Sequence, residues 1–282
     1  MKISVYKTPS MCEWYPSLLH RVLLELGHDS QLIDPSSDVA VDDDITFFCV
    51  WNTPLEPEKL KGKTKCVVLV ETEQVHLGYK ELSCQHQQKA DVVVFPGWFP
   101  VGGLYRDELC RSGDKLIVEM PLGYHPSLCH TAVPLPHKDL LLLEYCNSSW
   151  RKPYFDAIEK AGFSMYFESF DLQEIANWVA SVDICLTTHQ FGPSSFLSAF
   201  RVVGLFLHNQ GFVMSQRAST TFLEEDKHIV YFEGVDEMMD KCRYYISHPE
   251  EARRIALEAF NHLKTLPMTE IVKFAISEIC RR

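Results

Sequence analysis

Two carboxylates and a histidine follow the apolar run KCVVLVE (65–71), where the chain reads Glu71-Thr72-Glu73-Gln74-Val75-His76. A carboxylate at a strand end can take the proton from an attacking hydroxyl, the ordinary general-base role. The same residues could cap the next helix in solvent, and position alone does not choose between the two. A second group is cationic: Asn147-Ser148-Ser149-Trp150-Arg151-Lys152 follows LLLLEYC (140–146) and opens a helical stretch. A cationic pair beside the free N–H groups of a helix start suits a diphosphate, and equally reads as an exposed helix start, although cations are unfavourable there. Ser149 belongs to the same turn. A third group, Thr187-Thr188-His189-Gln190-Phe191-Gly192-Pro193-Ser194-Ser195, lies between the run VDICLTT (182–188) and a helix. Its hydroxyls and backbone-permissive breaks suit close approach to a nucleotide, with His189 and Gly192 as contacts, and equally suit a loop with a helix cap. Finally, Phe95-Pro96-Gly97-Trp98-Phe99-Pro100 offers Trp98 as a ring for stacking a sugar, or as packing beneath a loop. His76 and Trp98 are the candidate contacts to an acceptor.

Other chemistry is excluded or weak. The chain has no GxGxxG after its first strand, no GxxxxGK[ST], no HExxH and no GxSxG. Dinucleotide binding, phosphate-loop ATP chemistry and two frequent hydrolase types therefore lack their motifs. The run Asp42-Asp43-Asp44 reads as a solvated turn ahead of a buried strand rather than a metal site. His125, Cys129 and His130 could bind a metal by type, but the ten cysteines show no CxxC and no zinc-type ladder. Several cysteines sit within apolar runs, such as Cys49 and Cys185, as buried free thiols of a reducing compartment do.

These groups need elements to position them, and short apolar runs alternate with helical stretches throughout. Strands are expected at 2–7, 30–35, 45–51, 65–71, 91–97 and 115–120, then at 140–146, 163–167, 182–188, 211–216 and 228–232. Continuous β-branched and aromatic runs of this length are those of parallel strands covered on both faces. Helices are expected over 15–27, 151–161, 171–180, 195–208, 235–247, 249–264 and 268–280. Gly27 supplies a helix stop, and Pro249 with Glu250 and Glu251 a helix start. The class is α/β. The segment 121–139 carries four prolines and no period, as a linker does. It separates an N-terminal domain, 1–130, from a C-terminal one, 138–265.

The 282 residues carry 27 Lys plus Arg against 38 Asp plus Glu, a net charge of −11. Residues 1–137 hold 12 basic and 18 acidic side chains and the remainder 15 and 20, so both halves are acidic. Nucleic acid, which needs a basic stripe, is disfavoured. No apolar run reaches the roughly 18 residues of a membrane span, and MKISVYK lacks a signal-peptide layout. A cytoplasmic protein without a membrane span is expected.

The linker motif Pro121-Leu122-Gly123-Tyr124-His125-Pro126 resembles the segment joining the halves of group 1 glycosyltransferases of GT-B fold. The stretch FLSAFRVVGLFLHNQGFVMSQ (196–216) resembles their helix leading into a Gly-x-Val-x-Ser strand. Residues 228–264 are similar to the closing strand–helix–helix of the family, nearest its spore-maturation-type branch through Glu237, Lys241, Tyr244 and His248-Pro249-Glu250-Glu251. The resemblance covers about 115–264, and the first half only by strand order. It implies two Rossmann-like domains with parallel sheets facing across a cleft, and a final helix, 268–282, crossing back to the first domain. It further implies a UDP- or GDP-sugar donor on the C-terminal domain, a glycan or other hydroxyl acceptor on the N-terminal one, and no required metal. Arg151 or Lys152 would meet the donor diphosphate, and Arg201 would lie on the donor-site helix. Glu73, or Glu71, matches by position the base of phage β-glucosyltransferases. The family's glutamate on the donor-site helix is absent, since 196–210 holds no carboxylate, and Thr8-Pro9-Ser10-Met11 replaces its glycine-rich loop. A catalytically inactive nucleotide-sugar-binding or scaffold protein and a sugar transferase acting on modified DNA bases are the alternatives.

Overall fold

The computed structural model describes residues 1–7, 14–34, 41–50, 57, 62–71, 80–97, 115–143, 148–167, 169, 171–189, 197–218 and 222–281. The chain divides into two compact units. Unit 1 takes residues within 1–97 and 101–121 together with Met268–Arg282, and unit 2 takes Leu122–Pro267.

Unit 1 is built on a six-stranded parallel sheet. Its strands are β1 (Lys2–Lys7), β2 (Asp29–Ile33), β4 (Ile45–Val50), β6 (Val67–Glu71), β7 (Val92–Phe95) and β8 (Leu116–Glu119), in the order β2-β1-β4-β6-β7-β8. Val68, Leu69, Val70, Val92 and Val94 are fully buried, as the unbroken apolar runs require of strands covered on both faces. The helix Trp14–Glu25 connects β1 to β2 and buries Tyr15, Leu18, Leu19, Val22 and Leu23. Gly27 then turns the chain at φ +79°, a left-handed conformation that favours glycine. The last helix, Met268–Cys280, belongs to this unit and buries Met268, Val272, Ala275, Ile276 and Ile279 on one stripe.

The acidic run corrects one expectation. Val41–Asp43 is a strand, β3, paired in parallel with β5 (Gly62–Thr64) in a separate two-stranded sheet. Strand alternation puts Val41 and Asp43 on the same covered face, so Asp43 is 4% exposed while Asp42 stays in solvent. Asp44 pairs with the Lys65 ammonium at 2.7 Å and accepts the Lys2 N–H at 3.0 Å. The helix Lys80–Lys89 was not expected from the sequence.

Unit 2 repeats the design with five parallel strands: β9 (Lys138–Leu142), β10 (Met165–Phe167), β11 (Val182–Thr187), β12 (Val213–Gln216) and β13 (Val230–Phe232), ordered β10-β9-β11-β12-β13. One face buries Leu140, Leu142, Ile184, Leu186, Met214, Val230 and Phe232 against Phe155, Ile158, Met238, Cys242 and Ile255. Those last five residues come from the helices Lys152–Ala161, Val235–Ser247 and Pro249–Lys264. A Cβ on Gly211 would stand 2.7 Å from the Cys185 Sγ, so the approach to β12 admits only glycine.

The expected helix over 195–208 takes a different form. Phe200–Phe206 is π-helical, Leu207–Asn209 tightens into a 3₁₀ turn, and Gln210 ends it in the left-handed region at φ 58°. The carbonyls of Val203 and Leu205 are taken by the side chains of His208 and Asn209, which compete with the regular backbone ladder. Among the described residues no helix is long and apolar enough to cross a membrane.

Candidate functional site

In open parallel sheets, ligands gather beyond the carboxyl ends of strands where the winding direction reverses. In unit 2 that reversal falls between β9 and β11, because the chain moves out to β10 and returns across β9. Arg151 lies in the turn after β9, Thr187 ends β11, and Thr188 and His189 come next.

Arg151 is 3% exposed, and its Nη2 donates to the Thr188 carbonyl at 3.4 Å. Its backbone N–H donates to the Ser148 Oγ at 3.1 Å, which fixes the turn that precedes Lys152–Ala161. Arg201, in the first turn of the π-helical segment, donates from Nη1 to the Thr187 Oγ1 at 3.1 Å. Two arginines thus meet adjacent residues at the end of one strand. Cations so placed at a reversal of winding suit a diphosphate. Lys152 behaves differently: it is exposed and forms an i,i+4 pair with Asp156 at 2.7 Å. Ser149 is exposed in the turn between Ser148 and Arg151.

His189 is buried and held at both ends. Its backbone N–H donates to the Gln216 Oε1 at 3.0 Å, and its Nε2 donates to the Arg217 carbonyl at 2.9 Å. That bond places a proton on Nε2. Gln216, the last residue of β12, donates in turn to the Tyr154 hydroxyl at 3.1 Å. Burial raises the pKa of that phenol, which keeps it protonated. Arg217 bridges Glu225 at 2.7 Å and Glu233 at 2.9 Å, and its guanidinium lies 5.5 Å from the Tyr231 ring. Hydrogen bonding to Arg217 holds Glu225 below the usual carboxylate range.

Gln216, Arg217 and Tyr154 were not among the residues expected from the sequence. Gln216 closes the apolar run GFVMSQ (211–216) and Arg217 comes next, so both occupy the kind of strand-end position that singles out Arg151. Tyr154 has no such signal, since it reads as one apolar position of a helix.

In unit 1, Glu71 ends β6 and is 2% exposed. Glu73, His76, Trp98 and Gly192 lie outside the described residues. In the His125–Cys129–His130 cluster, the His125 Nδ1 accepts the Ser127 N–H at 3.2 Å, and the His130 backbone N–H donates to the Asn209 Oδ1 at 3.2 Å. No group of three metal-ligating side chains occurs among the described residues.

Residues 164–266 match a sequence family described as glycosyl transferase-like. No curated protein sequence matches the chain. Solved structures similar to it include sucrose-phosphate synthase from Thermosynechococcus elongatus, with a TM-score of 0.62 at 9% identity over 100% of this chain and 98% of that one. Anabaena HepE in complex with UDP and glucose aligns with a TM-score of 0.61 at 12% identity, covering 100% of both chains. An alpha-glucosyltransferase in complex with UDP aligns with a TM-score of 0.61 at 10% identity, over 100% of this chain and 99% of that one. The chain has the α/β fold of the GT-B glycosyltransferases, and residues 164–266, within its second unit, match the glycosyl transferase-like family model.

Proposed function

We propose that the protein transfers a sugar from a nucleoside-diphosphate sugar, UDP-linked before GDP-linked, to an acceptor hydroxyl on a glycan. The observation that carries this reading is the convergence of Arg151 and Arg201 on Thr187 and Thr188, at the reversal of winding in unit 2. Unit 2 binds the donor and unit 1 the acceptor. The acceptor oxygen attacks the anomeric carbon while the bond from that carbon to the diphosphate oxygen breaks. Arg151 and Arg201 neutralise the charge that grows on the departing diphosphate, the role fixed cations fill best in a water-poor site. Glu73, or Glu71, takes the acceptor proton if the anomeric centre inverts. His189, Ser149 and Gly192 serve the donor, and Lys152 adds charge at longer range. His76 and Trp98 contact the acceptor.

UDP was bound in two of the similar structures, which supports a uridine nucleotide as the first to try. A donor-binding protein without catalysis is the second reading, favoured by the lack of any carboxylate across 196–210. A thermal-shift panel of UDP-, GDP-, CMP- and TDP-sugars tests the proposal, because a tight ligand raises the melting temperature by mass action. A response to one nucleotide that disappears in Arg151→Ala is the expected result. Silence across the panel overturns the donor site, and binding without donor hydrolysis or transfer favours the second reading.

A further inference from the structure

The segment that carries Arg201 does not hold itself together by backbone bonds alone. His208 and Asn209 close it, and each side chain works in two directions. The His208 Nδ1 donates back to the Val203 carbonyl at 2.6 Å, while its Nε2 accepts the His125 N–H at 3.1 Å. The Asn209 Nδ2 donates back to the Leu205 carbonyl at 2.7 Å, while its Oδ1 accepts the His130 N–H at 3.2 Å. Two adjacent side chains therefore satisfy two carbonyls of the irregular segment and two N–H groups of the 125–130 backbone. The Tyr124 ring stacks on His208 at 5.7 Å and 5°, and the Tyr124 N–H donates to the Leu266 carbonyl at 2.8 Å. His208 is 1% exposed, and burial lowers its pKa to about 4. The neutral ring that the two bonds require is thus the form present at neutral pH.

We infer that His208 and Asn209 are positioning residues, which fasten the Arg201 segment to the 125–130 backbone and so fix where that guanidinium meets Thr187. The fastening can be tested by itself; its effect on a nucleotide rests on the function proposed above. An ordinary helix end would need neither side chain, whereas the shift from π to 3₁₀ winding leaves carbonyls that must find donors or go unsatisfied in the interior.

The test compares His208→Ala, Asn209→Ala and His208→Gln with Met239→Ala, which removes a core side chain from the Val235–Ser247 helix in the same unit. Amide hydrogen exchange is read over residues 199–211, and UDP affinity by calorimetry. Local opening in His208→Ala should speed exchange in that segment by at least ~10-fold more than in the rest of unit 2. Asn209→Ala, which keeps His208, should show the same pattern more weakly. Glutamine carries both a donor and an acceptor, so His208→Gln should return exchange to within about 3-fold of the parent. Met239→Ala should lower the melting temperature without singling out 199–211. UDP affinity should fall about 10-fold in His208→Ala, the loss expected of one misplaced charged hydrogen bond, and hold in Met239→Ala. Exchange that is unchanged, or that rises evenly across unit 2 in His208→Ala as in Met239→Ala, overturns the inference. If the unsubstituted protein binds no UDP, the donor reading fails, and the exchange pattern still decides whether the two side chains position the segment.

Discussion

From β1 the chain of unit 1 steps outward to β2 and returns across to β4; from β9 the chain of unit 2 steps to β10 and returns to β11. The winding is the same, yet the groups at the strand ends differ in sign. In unit 2 they are Arg151 and Arg217, joined at Thr187 by Arg201 from the π-helical segment, each held by a neighbouring oxygen. In unit 1 the described candidate is the carboxylate of Glu71, buried at the end of β6. Winding order decides where a site can form, and the residues just past the strands decide which half of a reaction it serves. Cations suit a departing diphosphate, and a carboxylate suits the incoming hydroxyl. Changes in unit 1 should therefore act on turnover, and changes in unit 2 on donor affinity.

The largest effect should come from unit 1. Replacing the proposed base by its amide, as Glu73→Gln or Glu71→Gln, should lower kcat by about 10²–10⁴-fold and leave the Kd for the nucleotide alone unchanged. Transfer rates and calorimetry on both variants separate the two carboxylates. Full turnover in both would remove unit 1's carboxylates from the chemistry and break the contrast between the units.

Arg151→Ala should weaken nucleotide binding by about 10–100-fold, the value of a charged hydrogen bond to an anion. Arg201→Ala should act in the same direction but less, because Arg201 is only half-buried. Equal losses for UDP and for uridine would sink the assignment of these cations to the diphosphate.

Acid should expose a further difference inside unit 2. His208 is held neutral, with a pKa lowered to about 4, so the unfolded chain takes the proton first as pH falls. Stability supplied by the neutral ring is complete above about pH 6.5 and is lost from there down to about 4, at no more than about 1.4 kcal/mol per pH unit. His228, lowered by burial and then by His262, and His20 and His28 in unit 1, lowered chiefly by burial, act in the same direction. The check is therefore a difference: urea midpoints at pH 7 and pH 5 should draw closer together in His208→Gln than in the parent. Parallel midpoints would mean that His208 titrates alike in the folded and unfolded chains.

Much of this was legible in the sequence. Runs such as KCVVLVE and VDICLTT announced parallel strands, because a strand covered on both faces has no polar alternation to confuse it. Pro249 with Glu250 and Glu251 marked a helix start that the structure keeps. Three adjacent acids look like a turn, and only pairing with Gly62–Thr64 draws Asp42 and Asp43 into a strand while Asp44 stays in the bend ahead of β4. The π-helical form of Phe200–Phe206 is also hidden: the His208 and Asn209 side chains that take its carbonyls have their other partners at 125 and 130, far off in sequence. At the candidate site, position alone proposes Arg151, and its burial and its bond to Thr188 depend on β9 and β11 lying side by side.

The smallest effect sharpens the contrast between neighbours. Arg151 and Lys152 are adjacent cations and equivalent in sequence terms, yet the structure treats them oppositely. Arg151 is inside, against Thr188, while Lys152 reaches into solvent and pairs with Asp156 one turn along its own helix. An exposed pair of this kind contributes about 0.3–0.5 kcal/mol. A cation at a helix start also opposes the local dipole, so its removal recovers part of that. Lys152→Ala should thus shift stability by less than about 0.5 kcal/mol and nucleotide affinity by less than about 3-fold, mostly through screened long-range charge. Calorimetry at low and physiological salt reads this directly, since a screened effect fades as salt rises. A loss in Lys152→Ala as large as in Arg151→Ala, and insensitive to salt, would show that the exposed cation turns to grip the donor, and that burial was a poor guide to which of the two binds it.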